Sequence, residues 1–298
     1  MDKFYKKWFV PLIAPAVLFF ILIIGIPFVI GVIYSFTAWR GNYWAGGESM
    51  WNSFVGLENY SKALSNSKFT HALLYTSIFA VVAVVVINIV SLSFALMLNN
   101  IKKAVGVFRT IYFMPNMMGA LAMGFVWQFI FQVVYTDIFF SPDGILHIEF
   151  MRYMTQDTWK ALIAIVIMYT WQSAGYMMLI YVGGLNAISG DLYEAASIDG
   201  AGPVKRFFKI TLPMLMPSIT VVLFLTLANS FKMLDLNVAL TNGDFNTRMI
   251  ALQILRTVQD STPPNYGVAQ AQSVIFFVIV AVISLLQVSL TRSKEVEV

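Results

Sequence analysis

The chain has 298 residues, of which 59% are apolar and only 11% charged, with 15% aromatic and a mean hydropathy of +0.76. A soluble domain usually carries about 25% charged residues. The shortfall excludes an ordinary water-soluble enzyme, a disordered chain and a nucleic-acid binder with a basic surface, and places the chain in lipid. With no cysteine and two histidines (His71 and His147), disulfides, thiolate sites, a histidine metal centre and a catalytic cluster are not expected.

A helix needs about 20 apolar residues to cross the hydrocarbon core. Six charge-free stretches are long enough, and they define a single membrane domain over 1–298: 8–39, 69–101, 110–136, 161–190, 210–231 and 261–291. The first follows Lys3, Lys6 and Lys7. At 32 residues it exceeds a signal-peptide apolar core and reads as a retained span. Pro27 and Pro115 lie inside the first and third stretches, and Pro213 and Pro217 early in the fifth, where kinks are tolerated if neighbours satisfy the freed backbone. The expected fold is all-α: a polytopic bundle of six transmembrane helices.

Six crossings put both termini on one side. If that side is cytoplasmic, the inner segments hold Lys3, Lys6, Lys7, Lys102, Lys103, Arg109, Lys205, Arg206, Lys209, Arg292 and Lys294, which is 11 of the 19 basic residues, in the shorter connections. The positive-inside rule then favours cytoplasmic N- and C-termini, as in a bacterial inner membrane.

The inner connection at 190–209 has helix signals of its own. Ser189 is a candidate N-cap and Asp191 and Glu194 suit the positive end of the dipole. Ala195 and Ala196 keep one face thin, Gly200 and Gly202 can end the helix, and Pro203 can open another. Such a hairpin lies flat under the membrane. It serves either to tie two spans together or to dock into a cleft of another protein.

Polar residues inside spans are either helix-packing contacts or functional groups. Tyr169, Gln172, Ser173 and Tyr176 in the fourth stretch share i, i+3, i+4, i+7 spacing, as do Thr226, Asn229, Ser230 and Met233 at the fifth. Asn88, Trp127, Gln128, Gln132, Gln270 and Gln272 are further candidates. Lys232 and Asp235, i and i+3, read as an ion pair or an outward-reaching lysine rather than as substrate ligands. No stretch contains an acidic residue, which counts against a self-sufficient, ion-driven secondary transporter, the alternative reading.

Glu194-Ala195-Ala196, Asp199-Gly200-Ala201, Phe207, Ile210, Leu212-Pro213 and Pro217 resemble the EAA loop of permease subunits of bacterial ABC importers. Phe54-Val55-Gly56-Leu57-Glu58-Asn59-Tyr60, Phe108-Arg109-Thr110 with Pro115, Leu240-Thr241-Asn242-Gly243 and Tyr266-Gly267 are similar to segments of the carbohydrate-uptake branch, of the maltose and multiple-sugar permease kind. Asp244 departs from that branch, which has a second glycine there. The resemblance implies that Glu194, Ala195, Ala196, Asp199 and Gly200 form a coupling helix gripped by a separate ATPase. It also implies sugar contacts near Tyr169, Gln172, Ser173, Tyr176, Thr226, Asn229, Ser230 and Met233. The implied partners are a second homologous permease, as a heterodimer, two ATP-binding subunits, an extracellular sugar-binding protein and membrane lipid, with no nucleic acid. The implied cargo is an oligosaccharide of the raffinose or maltose kind. No Walker A pattern occurs, so ATP and Mg are expected on the partner and no cofactor on this chain.

Overall fold

The computed structural model describes residues 2–99, 101, 103–146 and 148–295, and side chains from Trp8 onward. His147 and Lys102, and the side chains of Lys3, Lys6 and Lys7, lie outside the described residues. The regular elements of the described chain are all helices, with isolated antiparallel bridges in place of strands. It comprises α1 (Asp2–Phe20, a π turn Ile21–Gly25, Ile26–Ser35), α2 (Glu58–Ser65), α3 (Ser67–Asn99), α4 (Val105–Phe113), α5 (Ala120–Phe129 and π-helical Ile130–Phe139), α6 (Thr158–Ala187), α7 (Gly190–Ile198), α8 (Pro203–Arg206), α9 (Met216–Phe231), α10 (Asp235–Thr241), α11 (Ile250–Gln259) and α12 (Tyr266–Arg292). Two compact units result. One joins the N-terminal residues through Thr70 to Ile254–Val278, and the other joins His71–Gln253 to Ile279–Val298.

Five described helices are long and apolar enough to cross a membrane: α1 from Trp8, α3, α5, α6 and α12. A bent pair, Pro203–Met214 with Met216–Phe231, supplies a sixth if counted as one span. The helix bounds differ from the charge-free stretches in instructive ways. α1 stops at Ser35, because Thr37 and Trp39 turn extended to bridge Phe54 and Trp44. α3 and α6 begin earlier than expected, at Ser67 and Thr158, since Lys68 and Lys160 near a helix end can reach the interface. α6 ends at Ala187, where Ile188 turns extended.

The expected third span over 110–136 is not one helix. Pro115 falls in a 3₁₀ turn, Met114–Met117, and extended Met118 and Gly119 separate α4 from α5. Proline removes the donor a continuous helix needs. The fifth stretch is broken too. Pro213 and Pro217 flank Leu215, and the axis turns by 68° there. α9 alone, with 16 residues, reaches about 24 Å, short of the roughly 30 Å core. Pro263 and Pro264 keep the last helix from starting before Tyr266. In α1 a π turn just before Pro27 absorbs the missing donor without breaking the helix.

In the first unit, two of the sequence segments converge on the end of α1. Asn59 Nδ2 donates to the carbonyls of Ser35 (2.9 Å) and Thr37 (2.8 Å), and the hydroxyls of Tyr60 and Ser35 lie 2.7 Å apart. Gly267 meets the Thr37 carbonyl so closely that a Cβ would lie 2.3 Å from its oxygen. Tyr34, Trp39 and Trp44 stack beside them, with ring centroids 4.3–5.3 Å apart. From Trp8 to Tyr34, α1 has no buried residue.

The second unit is built on α6, whose Met168, Met177, Met178 and Tyr181 are fully enclosed. Glycines set its closest approaches. Gly175 lets the Tyr112 carbonyl of α4 lie against α6, and Gly124 of α5 lets α10 pack with Ala239.

Candidate functional site

The mid-span candidates divide into two sets. Tyr169 and Ser173 of α6, Thr226 and Ser230 of α9, and Met233 just beyond α9 are all buried, and Tyr169 faces Ser230 across the two helices. Tyr176 and Asn229 are exposed and Gln172 is half-buried, so these three look away from that interface. Helical spacing placed each group of four on one side of its helix, but a helix face is wider than a packing contact. The structure therefore does not bring all eight together.

The buried set is held by hydroxyl bonds to its own helix. Thr226 Oγ1 donates to the Val222 carbonyl (2.7 Å) and Ser230 Oγ to the Thr226 carbonyl (2.7 Å). The Tyr169 hydroxyl faces Ser173 and Ser230 yet closes no hydrogen bond of ordinary geometry. An orphaned phenol at the α6–α9 contact is a polar group free to take a ligand or to re-pair when the helices shift.

Asn88 of α3, a candidate outside both groups, bridges three helices. Tyr181 of α6 donates its hydroxyl proton to Asn88 Oδ1 (2.6 Å), and Asn88 Nδ2 donates to Thr226 Oγ1 (3.3 Å) and to the Val84 carbonyl (2.7 Å). Tyr181 carries no spacing signal linking it to Asn88, and tertiary packing alone joins them. Interhelical hydrogen bonds in membranes average about 0.6 kcal/mol and reach about 1.7. Tyr181→Phe is therefore expected to lower stability by about 0.6–1.7 kcal/mol. Thermal unfolding in detergent checks this, and an unchanged melting temperature would show the bridge contributes nothing.

The remaining candidates are scattered. Gln128 Nε2 reaches the Leu240 carbonyl at 3.5 Å. In the first unit, Gln272 accepts from Thr257 (2.8 Å), and the Gln270 carboxamide lies over Gly31. Lys232 and Asp235 form no ion pair among the described residues, and both are exposed.

The second site is the hairpin of α7 and α8. Ser189 Oγ caps α7 by accepting from the Asp191 amide (3.3 Å), as its position predicts. The helix ends on Gly200 at φ +73°, with the Ala201 amide bonded back to the Ala196 carbonyl (2.9 Å). Gly202 has an ordinary negative φ and precedes Pro203, so only one of the two expected glycines is left-handed. Arg206 donates to Ser197 Oγ (2.9 Å), and the hydroxyls of Tyr193 and Thr211 meet at 3.1 Å. These bonds fold the hairpin onto itself.

Its opposite surface is bare. Glu194, Ala195, Asp199 and Gly200 are exposed and Ala196 is half-buried, while Ile198 and Val204 are 87% and 72% exposed. Gly200 has open space where a Cβ would sit, so a side chain there costs conformation, not a clash. A left-handed L-residue costs roughly 1–2 kcal/mol, and asparagine tolerates it better. Gly200→Ala should lower the melting temperature of the purified chain and Gly200→Asn should lower it less. Equal losses would contradict a conformational cause.

The chain is thus a polytopic helical bundle with a self-folded, exposed hairpin between two of its spans. The chain belongs to the family of binding-protein-dependent transport system inner membrane components, whose pattern matches residues 91–296. It is 38% identical, over 99% of its length and 98% of the relative's, to a probable starch degradation products transport system permease of Thermoanaerobacterium thermosulfurigenes. It is 33% identical, over 81% of each chain, to the trehalose/maltose transport system permease of Thermococcus litoralis. Its fold matches a chain of a bacterial ABC transporter that imports the acidic polysaccharide alginate, with TM-score 0.77, 19% identity and 98% of each chain covered.

Proposed function

We propose that this protein is a permease subunit of an ATP-driven importer that moves a sugar across the bacterial plasma membrane by alternating access. The exposed α7–α8 hairpin carries the reading. It presents Glu194, Ala195, Ile198 and Val204 with their surroundings open, and its internal bonds make it a rigid lever joined to α6 and, through the bent α8–α9 pair, to α9. A partner that moves the hairpin moves the two helices lining the Tyr169–Ser230 contact.

The subunit itself performs no chemistry in this scheme. Two ATP-binding partners hydrolyse ATP with Mg, and a second permease completes the pathway. Both termini are cytoplasmic, and the connections after α1, α5 and α9 face outward, where a sugar-binding protein delivers the cargo. Curated relatives named for starch products and for trehalose/maltose support a glucose-containing oligosaccharide. Hydroxyls at Tyr169, orphaned, and at Thr226 and Ser230, bonded to their own helix, together with buried Ser173, supply partners for sugar hydroxyls once α6 and α9 separate.

The test is reconstitution of the co-purified complex in liposomes, with uptake of maltose, maltotriose and raffinose followed with and without ATP. ATP-dependent uptake of at least one is expected. Uptake by this chain alone under an ion gradient would overturn the scheme.

A further inference from the structure

The turn after α10 has an unusual backbone for its residues. Asn242, Gly243, Phe245 and Asn246 all have positive φ, at 51°, 76°, 54° and 60°. Glycine and asparagine adopt that conformation readily, but a bulky aromatic residue rarely does. Phe245 is 53% exposed, so burial of its side chain does not account for that conformation. Strain of this kind persists only where the surroundings over-determine it, and it gathers at ligand sites.

The surroundings here do over-determine it. Asn237, fully buried, donates to Thr241 Oγ1 (3.1 Å) and the Thr247 carbonyl (2.9 Å), and accepts from the Met249 amide (3.0 Å). Thr247 Oγ1 bonds Thr241 Oγ1 (2.7 Å), and Thr158 Oγ1 donates to the Phe245 carbonyl (2.7 Å). Thr241, Gly243 and Thr247 face inward, whereas Asn242, Asp244, Phe245 and Asn246 face solvent.

We propose that the Asp244–Phe245–Asn246 tip is a saccharide contact at the outer mouth of the pathway. It rests on the sugar-import reading and its topology. The phenyl face covers the C–H face of a pyranose, and the flanking carboxylate and amide take its vicinal hydroxyls. A knot of buried hydrogen bonds fixes the backbone that carries the three groups before the sugar arrives, which lowers the ordering cost of binding. A protein anchor would need a wider apolar surround, and the tip offers one ring between polar neighbours.

The experiment uses the reconstituted whole complex with Phe245→Asn and Phe245→Trp, and maltose, maltotriose and raffinose as probes. Asparagine suits the left-handed backbone but lacks the ring. Phe245→Asn should melt no lower than the unsubstituted chain, yet raise the half-saturating concentration of delivered sugar at least fivefold. Phe245→Trp should stay within twofold. Capture of the sugar-free binding protein should be unchanged in both. Unaltered uptake by the asparagine variant, an equal loss in the tryptophan variant, or weakened capture of sugar-free binding protein would overturn the proposal, the last by making the tip a protein contact. If the unsubstituted complex takes up none of the three sugars, the import reading falls and takes the tip with it. A working importer with an indifferent tip sinks the tip alone.

Discussion

Gly175→Ala is expected to disrupt the second unit more than any other single-methyl change. A Cβ at this position would sit 1.8 Å from the Tyr112 carbonyl oxygen and 2.4 Å from its carbon. Both are backbone atoms of α4, so no side chain can rotate away, and the helices must part by more than 1 Å to reach a tolerable contact. The flanking groups Ala174, Thr170 and Trp171 line a neighbouring apolar cavity of about 400 Å³, and the displacement would spread into it. Overpacking of this sort costs about 3 kcal/mol. Gly183→Ala, on the same helix with nothing within 4 Å, is the control and should be neutral or slightly stabilising, because alanine is the better helix former. Thermal unfolding and the yield of monodisperse protein measure both. Equal melting temperatures for the two variants would show that the close α4–α6 approach does not limit stability.

The second large effect concerns coupling and leaves stability nearly unchanged. Glu194→Arg and Ala195→Trp should reduce ATP-dependent uptake about tenfold or more, which corresponds to about 1.4 kcal/mol of lost interaction. They should also weaken retention of the ATPase subunits on a tagged permease. Neither side chain has a hydrogen bond or ion pair within the described chain, and both lie on the exposed face of α7, so melting of the isolated subunit should change by no more than the roughly 0.3–1 kcal/mol of a charge near a helix end. That separation is the diagnostic point. A variant that loses uptake and melting temperature together reports damage to the hairpin, and one that loses neither removes the hairpin from the coupling path.

Much of this was readable from residue order. Where the charges fall marks the apolar helices, because lipid leaves no other way to satisfy backbone groups. The ends of α7 were readable because Ser189 and Gly200 act locally, through an N-cap bond and a left-handed backbone. Prolines signalled tolerated kinks at Pro115 and around Leu215, but not that the helices would break there. A 3₁₀ turn followed by two extended residues, or a 68° bend, depends on what neighbouring helices accept.

Other features came only from the tertiary structure. The division of the polar faces is one: Ser230 is buried and Asn229 exposed though they are adjacent, and periodicity assigned both to one stripe. The Tyr181–Asn88–Thr226 bridge and the Asn237–Thr247 knot join residues whose pairing nothing in the sequence signals, although Asn88 and Thr226 each stand out as polar residues inside spans. Low charge by itself determined that the chain is a membrane bundle, and local chemistry determined where its hairpin starts and stops. Which polar side chains face one another was decided in three dimensions. Burial is a property of packing between helices, and glycine contacts as close as those at Gly175 and Gly124 set that packing.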